Sequence, residues 1–341
     1  MKFVGADLHK KIIVFCVLEK VDGKLRVVRR VRLSCRSVDK LKAFFKELGK
    51  FQIVVEATIG YDWFAALAEK FADRVVLAHP GKLRIIAEST KKTDKVDARV
   101  LAEFLAHDMI PEAWRPTPRV REHRTLIRRR CKIQSRITSI KNTIRGILTR
   151  YNADRTDLFT RLGRIESDGL QLLAAERLVI DDLWEELAEA KTRLKKLEAL
   201  LEGFAKNAPA KEQEARAILA TFPGIGFVTT EIILAELGDW RRFESGDAVV
   251  AFAGLAPGVR ESDKSRKDLG LTKAGSPLLR WSMIQLAHRM KRTSSRWSRD
   301  FQRLSPRIGK KKATCALARR LLLVIHAMLR DGQRYQHPKA A

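Results

Sequence analysis

The sequence predicts a mixed α/β domain followed by a mostly helical remainder, and three observations carry that prediction. Strand-forming residues crowd the first 33 positions and are broken by a hairpin signal at Asp22-Gly23. Short apolar runs then alternate with helical patterns as far as residue 112. Beyond Arg115, two long heptad patterns replace strands altogether.

Phe3–Leu8, Ile12–Leu18 and Leu25–Val31 read as three antiparallel strands. Ser37 is placed to cap a helix that runs through Leu48, and Phe51–Val55 is a short apolar strand ending at Glu56. A helix from Tyr61 to Phe71, the strand Arg74–Leu77 and two further helical pieces follow. The order βββαβα, then a strand and helices, is that of the ribonuclease-H-like fold. In such a sheet the first and fourth strands are neighbours, which sets Asp7 beside Glu56.

The stretch Lys92–Asp97 adds two more acids. Thr93 suits an N-cap, and Val96, Val100, Leu101 and Leu105 form one helical stripe. Asp94 and Asp97, three apart, share a face. Taken alone they fit a solvated first turn, where the helix dipole favours Asp. Converging with Asp7 and Glu56, they fit a site for Mg²⁺, with Mn²⁺ as its substitute, because such ions take hard carboxylate oxygens. Four uncompensated carboxylates would oppose each other's ionisation, whereas two metal ions relieve the repulsion and make a phosphoryl-transfer site. Glu88 and Glu103 are the substitutes for any of the four.

Lys and Arg number 68 against 40 acidic residues, a net charge of +28. That excess calls for a polyanionic partner, most naturally nucleic acid. Leu321–Ile325 is too short to span a bilayer and is flanked by Arg319, Arg320 and Arg330, so no membrane role is expected. Asp7, His9, Lys10 and Lys11 interrupt the N-terminal apolar run, so no signal peptide is expected. Cys16, Cys35, Cys131 and Cys315 lack metal-ligand spacing and read as reduced thiols of a cytoplasmic, nucleoid-associated protein. No G-x-x-x-x-G-K-[ST] loop is present to bind a nucleotide.

From Arg115 to Arg150 the only acid is Glu122. Leu126, Ile133, Ile140 and Ile147 repeat every seven, joined by Ile137, Ile144 and Tyr151. A second run holds Leu173, Ile180, Leu187, Leu194 and Leu201, joined by Leu183, Ala190, Leu197 and Phe204. Together they predict an antiparallel coiled-coil arm, or half of an intermolecular bundle, with residues 152–168 as its turn. The first helix is basic on its remaining faces, and Arg128, Arg129, Arg130, Lys132, Arg136 and Lys141 are candidates for phosphate contact.

Asn207–Ala210 is a linker, and Phe222-Pro223-Gly224-Ile225-Gly226 sits between two helical patterns. A helix–hairpin–helix-like turn of this kind bares backbone N–H groups at a helix start, so Gly224 and Gly226 are candidates for holding a phosphate. Leu255 to Gly275 reads as a polar, basic loop in which Ser262 and Ser265 stand among Arg260, Lys264, Arg266 and Lys267. By composition these are solvated loop serines. The expected division is 1–112 for the α/β domain, 113–206 for the basic arm, 207–330 for a C-terminal domain carrying the serine loop, and 331–341 for a flexible tail.

With these motifs in place, nearly the whole chain resembles the insertion-sequence-110 transposases, DNA recombinases guided by a bridge RNA. Gly5-Ala6-Asp7-Leu8-His9-Lys10 looks like the first acidic motif, Val55-Glu56-Ala57-Thr58 the second and Lys92–Ala98 the paired-aspartate motif. Phe222–Gly226, Phe252–Pro257 and Thr272–Gly275 look like the C-terminal transposase domain. The resemblance implies a RuvC-like DEDD metal site (Asp7, Glu56, Asp94, Asp97) and a nucleophilic serine at Ser262. It also implies a phosphoserine intermediate, donor and target duplex DNA, the bridge RNA, and dimers assembling to a tetramer. The family's serine is usually followed by glycine, whereas Asp263 follows here, so Ser265 stays a second candidate. The acids and Ser262 fall in separate predicted domains, which leaves open whether the site is completed between subunits. Two other readings compete: a Holliday-junction-type metal nuclease that uses water on the same acids, and a non-catalytic nucleic-acid-binding protein.

Overall fold

The computed structural model describes residues 1–86, 94–262, 265–293 and 295–336. Two compact units result, Met1–Arg115 and Pro116–Ala341.

The first unit is a five-stranded sheet with helices on both faces. Its elements are β1 (Lys2–Leu8), β2 (Ile12–Val21), β3 (Lys24–Ser34), α1 (Val38–Leu48), β4 (Phe51–Glu56), α2 (Tyr61–Ala68), β5 (Arg74–Ala78), α3 (Pro80–Ile86) and α4 (Asp94–Ala106). The strand order is β3-β2-β1-β4-β5, so the first and fourth strands are neighbours, as the element order led one to expect. β1 runs antiparallel to β2 and parallel to β4, in register Ala6 to Val55.

Strand alternation divides the sheet's side chains between two cores. Val4, Ala6, Phe15, Ile53 and Val55 pack against Leu41, Phe44, Phe45 and Phe64 of α1 and α2. Phe15 is the centre of that layer, with ring centroids 4.8 Å from Phe44 and 6.0 Å from both Phe45 and Phe64. On the opposite face, Val14, Cys16, Leu18, Val54 and Val76 meet Ala98, Leu101, Ala102 and Leu105 of α4.

The second unit begins with two long helices, α5 (Pro118–Thr149) and α7 (Ala174–Lys206), joined through the short α6 (Arg161–Asp168). Thr117 caps α5 by accepting from the Val120 N–H at 3.3 Å, and Pro118 sits at the first turn, where no N–H is needed. Ile133, Ile137, Ile140, Ile144 and Ile147 are buried against Ile180, Leu187 and Ala190. Cross-pairs show that the helices run antiparallel, since Arg130 meets Glu198, Arg136 meets Glu186 and Arg150 meets Glu176. Residues 152–168, expected as a turn, contain α6, whose start is capped by Thr160 accepting from Gly163 N–H at 3.2 Å. Leu173 departs from its expected heptad place: it precedes α7 and is exposed.

The rest of this unit is α8 (Ala210–Ala220), α9 (Phe227–Leu237), α10 (Gly246–Phe252), the hairpin β6 (Pro257–Ser262) and β7 (Ser265–Leu271), and α11 (Pro277–Thr293), α12 (Ser295–Ile308) and α13 (Lys310–Asp331). α9 is buried from Thr230 to Leu237 and forms the axis around which α5, α8 and α11 pack. Two expectations change here. The polar stretch read as a loop is a two-stranded antiparallel ribbon, and part of the expected tail is docked. Tyr335 N–H donates to Thr221 Oγ1 at 2.9 Å, and its ring lies 4.5 Å from Phe222.

Candidate active site and nucleic-acid interface

Asp7 and Glu56 are the residues that follow Ala6 and Val55, the last registered pair of β1 and β4. Phe3 and Val54, each two or four positions earlier on the α4 face, place both acids on that same face by alternation. Neighbouring strands lie ~4.8 Å apart, which makes the two carboxylates immediate neighbours in the sheet. Asp7 is 17% exposed, and His9 Nε2 lies 3.0 Å from its Oδ2. The sequence had offered that contact in the Asp-Leu-His spacing, but His9 had not been singled out.

Gly5 explains how α4 comes so near. A Cβ there would lie 1.9 Å from the Ala98 carbonyl oxygen and 2.7 Å from Ala102 N, so any side chain would push the helix off β1. Glycine inside a strand commonly marks such an approach of another backbone. Half-buried Asp97 immediately precedes Ala98, and Asp94 opens α4 one turn earlier. Asp94's side chain, Thr93 and Glu88 lie outside the described residues. Glu103, the other substitute, is engaged by Arg99 Nε at 2.7 Å. Among the described residues no three His, Cys, Asp or Glu side chains form a ready metal-holding group. The donor chemistry of Asp7, Glu56 and Asp97 is nevertheless that of a hard divalent cation.

The basic helix α5 is not one uniform surface. At its root, Arg119 holds Glu212 with both nitrogens, at 2.7 and 2.9 Å, and stacks its guanidinium 4.1 Å over Phe204. Arg124 donates to the carbonyls of Ala235 and Glu236, both at 2.8 Å, satisfying the C-terminal end of α9. Glu231 is fully buried and is answered by Arg216 at 2.8 and 2.9 Å and by His123 at 2.8 Å. Burial alone would raise the Glu231 carboxyl, but the facing His123 ring and the hydrogen bonds from Arg216 hold it below the usual range.

Glu236, 1% exposed, forms a second hub. Arg128 grips it at 2.7 and 2.9 Å, and Ser276 Oγ donates to it at 2.9 Å. Burial opposes this charge too, yet Arg128, Ser276 and Arg124 together lower its pKa. Ser276 Oγ also accepts from Leu279 N–H at 3.1 Å and so caps α11. The sequence candidates on α5 therefore divide. Arg128, Arg130 and Arg136 already hold Glu236, Glu198 and Glu186, and Lys141 lies 4.7 Å over the Phe159 ring. Arg129 and Lys132 are exposed, with no carboxylate in ion-pair reach among the described residues.

Between α8 and α9, Gly224 adopts a φ of 80°, and its carbonyl accepts from Arg289 at 3.2 Å. Gly226 is the N-cap of α9, with open space where a Cβ would be and no side chain capping the first N–H groups of that helix. In the ribbon, Ser262 pairs with Ser265 and Arg260 with Lys267, so the two candidate serines are cross-strand neighbours. Their side chains, those of Arg260, Arg266 and Lys267, and the whole of Lys264 lie outside the described residues. The ribbon's root is fixed by Arg280, which donates to Ala253 O at 3.1 Å and Lys273 O at 3.3 Å, one on each side of the hairpin. At Gly275 a Cβ would lie 2.1 Å from Phe252 O, so this junction also requires glycine.

Residues 4–153 match the DEDD transposase family of insertion sequence 110, and residues 216–303 match the IS116/IS110/IS902 transposase family. The chain belongs to this transposase family. The first match holds Asp7, Glu56, Asp94 and Asp97, and the second holds the α8–α9 turn and the serine ribbon. The chain is similar to the transposase for insertion sequence element IS1111A of Coxiella burnetii, at 24% identity over 98% of this chain and 92% of that one. A probable family 20 transposase of Pseudomonas aeruginosa is 25% identical over 96% of both chains. A pilin gene-inverting protein of Moraxella bovis is 24% identical over 86% of this chain and 84% of that one. Among the described residues no helix is long and apolar enough to cross a membrane.

Proposed function

We propose that the chain is the transposase of an insertion sequence, cutting and rejoining duplex DNA by phosphodiester transfer to Ser262. The observation that carries this reading is the pairing of Asp7 and Glu56 on the sheet face to which Gly5 draws the aspartate-bearing helix α4. Asp7, Glu56, Asp94 and Asp97 would hold Mg²⁺, or Mn²⁺ in its place, in a RuvC-like arrangement. Bound there, the metal supplies activation of an attacking hydroxyl and neutralisation of a leaving oxygen.

His9 holds Asp7 by its Oδ2 and so fixes that carboxylate's orientation. Ser262 Oγ attacks phosphorus, one P–O bond forms and the bond to the departing strand breaks. The serine proton ends on the departing oxygen as a new hydroxyl. Bond energy is conserved in the phosphoserine link, and reversal onto another strand needs no nucleotide, in keeping with the missing phosphate-binding loop. The backbone pairs Arg260 with Lys267 and Ser262 with Ser265, and the basic pair would neutralise phosphate near the hydroxyls. Arg129, Lys132 and the α9 start at Gly226 would contact nucleic-acid backbone, including that of a bridge RNA. The long helix pair would serve as a coiled-coil arm in assembling dimers into a tetramer.

Asp97→Asn tests the acid assignment. In Mg²⁺ it is expected to abolish strand cleavage while leaving nucleic-acid affinity within about threefold, since one carboxylate hardly alters so large a net charge. Wild-type cleavage by that variant would refute the site.

A further inference from the structure

Between α5 and α11 the second unit contains a groove of about 810 Å³. Its α5 wall carries Gln134, Ser135, Ser139 and Asn142, and its α11 wall is Leu278 and Trp281. The Trp281 indole is 51% exposed, an unusual position for so large an aromatic on a helix whose other face is core. Thr138 and Thr143, also in the groove, donate their hydroxyls to the carbonyls of Gln134 and Ser139, both at 3.0 Å. Among the described residues no carboxylate lines it, and its one ionised side chain is Arg130.

We propose that this groove binds an unpaired nucleic-acid strand, with a base stacked on Trp281. The proposal rests on the reading of the chain as a nucleic-acid enzyme and adds to it a site for single strands. Three features select that occupant. A flat aromatic surface open to solvent is what an unpaired base stacks on, and stacking tolerates any base because each has a π-face. The amides of Gln134 and Asn142 lie eight residues apart on one helix, ~12 Å along its axis, and each offers both a donor and an acceptor for base edges. Charge is the third feature: the walls carry no acid, and the one ionised side chain among them, Arg130, is a cation.

A duplex does not fit this chemistry, because its bases are already stacked and paired. Nor does a helix from a second copy, which would need aliphatic side chains to bury, and Leu278 is the single large aliphatic in the groove. The neutral hydroxyls and amides opposite the indole are better matched to sugars and bases than to an apolar helix face.

The test uses the full chain with fluorescent oligo-dT and oligo-U of about a dozen nucleotides, a duplex of equal length, and the variants Trp281→Ala and Trp281→Phe. Because Trp281 is half exposed, both variants should keep the wild-type melting temperature. Trp281→Ala is expected to weaken single-strand binding roughly tenfold or more. Trp281→Phe should recover most of that loss, and duplex affinity should change by less than about twofold. Comparison of oligo-dT with oligo-U reports whether the natural strand is DNA or RNA. The inference is overturned if Trp281→Ala binds single strands as the wild type does, or weakens single strand and duplex alike. It is also overturned if the substitution changes the oligomeric state, which would make the groove a contact between copies. Failure of the transposase reading is separate: it would appear as absence of DNA cleavage by the unsubstituted protein.

Discussion

Helix α5 uses basic residues in two ways. At its root Arg119, Arg124 and Arg128 are spent on carboxylates and carbonyls of α8 and α9, in a network around the buried acids Glu231 and Glu236. Beside them Arg129 and Lys132 face solvent. Adjacent residues of like charge thus have unlike roles, decided by whether a buried carboxylate lies on that side of the helix. A basic run in sequence measures charge available to a partner only after the internal pairs are subtracted.

The sharpest way to break this comparison is to remove a cation from each setting. Arg216→Met leaves Glu231 buried with only His123, and should cost roughly 3–5 kcal/mol, as breaking a buried pair does. Arg136→Gln removes a cation whose pair with Glu186 is exposed, and should leave stability almost unchanged. Denaturant titration of both variants checks this; equal losses would erase the distinction between root and surface.

A second contrast is in binding. Replacing Arg129 and Lys132 with Gln should lower the slope of log affinity against log salt by about two, one counterion for each lost phosphate contact. Arg128→Gln should leave that slope near the wild-type value and lower the melting temperature instead. A reversed pattern would assign Arg128 to the nucleic acid.

The smallest effect is in acid. Glu212, Glu231 and Glu236 all titrate below the ordinary glutamate value of 4.5 in the folded chain, despite the opposing effect of burial, because arginines and His123 face them. A depressed folded value means that the stabilisation is present at neutral pH and is lost as pH falls from 4.5 through the folded values. Melting temperature should therefore decline most steeply below pH 4.5, and the decline should be shallower in Glu236→Gln. An identical acid profile in that variant would contradict the role given to Glu236.

Much of the first unit was legible in sequence, because strand formers, turns and helices alternate there, and the order alone puts Asp7 next to Glu56. The buried heptads of α5 were legible for the same reason, their period being set by one continuous core. The serine ribbon was not. Pro257–Ser262 and Ser265–Leu271 have almost no apolar alternation, since both strands are rich in charge. Arg128 and Glu236 are 108 residues apart, a pairing that neither period nor composition encodes. Tyr335 was assigned to a tail because one aromatic beyond the last helix gives no sign of the Phe222 ring it packs on. Gly5 carried a readable signal, a glycine in a strand, whose consequence became visible only when α4 was in place.

The most direct test of the account is to trap the covalent intermediate. Full-length protein, Mg²⁺, guide RNA and a DNA bearing the matching site should give a protein–DNA adduct that survives denaturant and maps by peptide mass to Ser262. Ser262→Ala should lose the adduct while still binding RNA and DNA, and Ser265→Ala should retain it. An adduct on Ser265 instead would move the nucleophile to the other strand of the ribbon. Cleaved ends with free 5′-phosphates and 3′-hydroxyls, and no DNA on either serine, would contradict the account and make water the nucleophile of a metal nuclease.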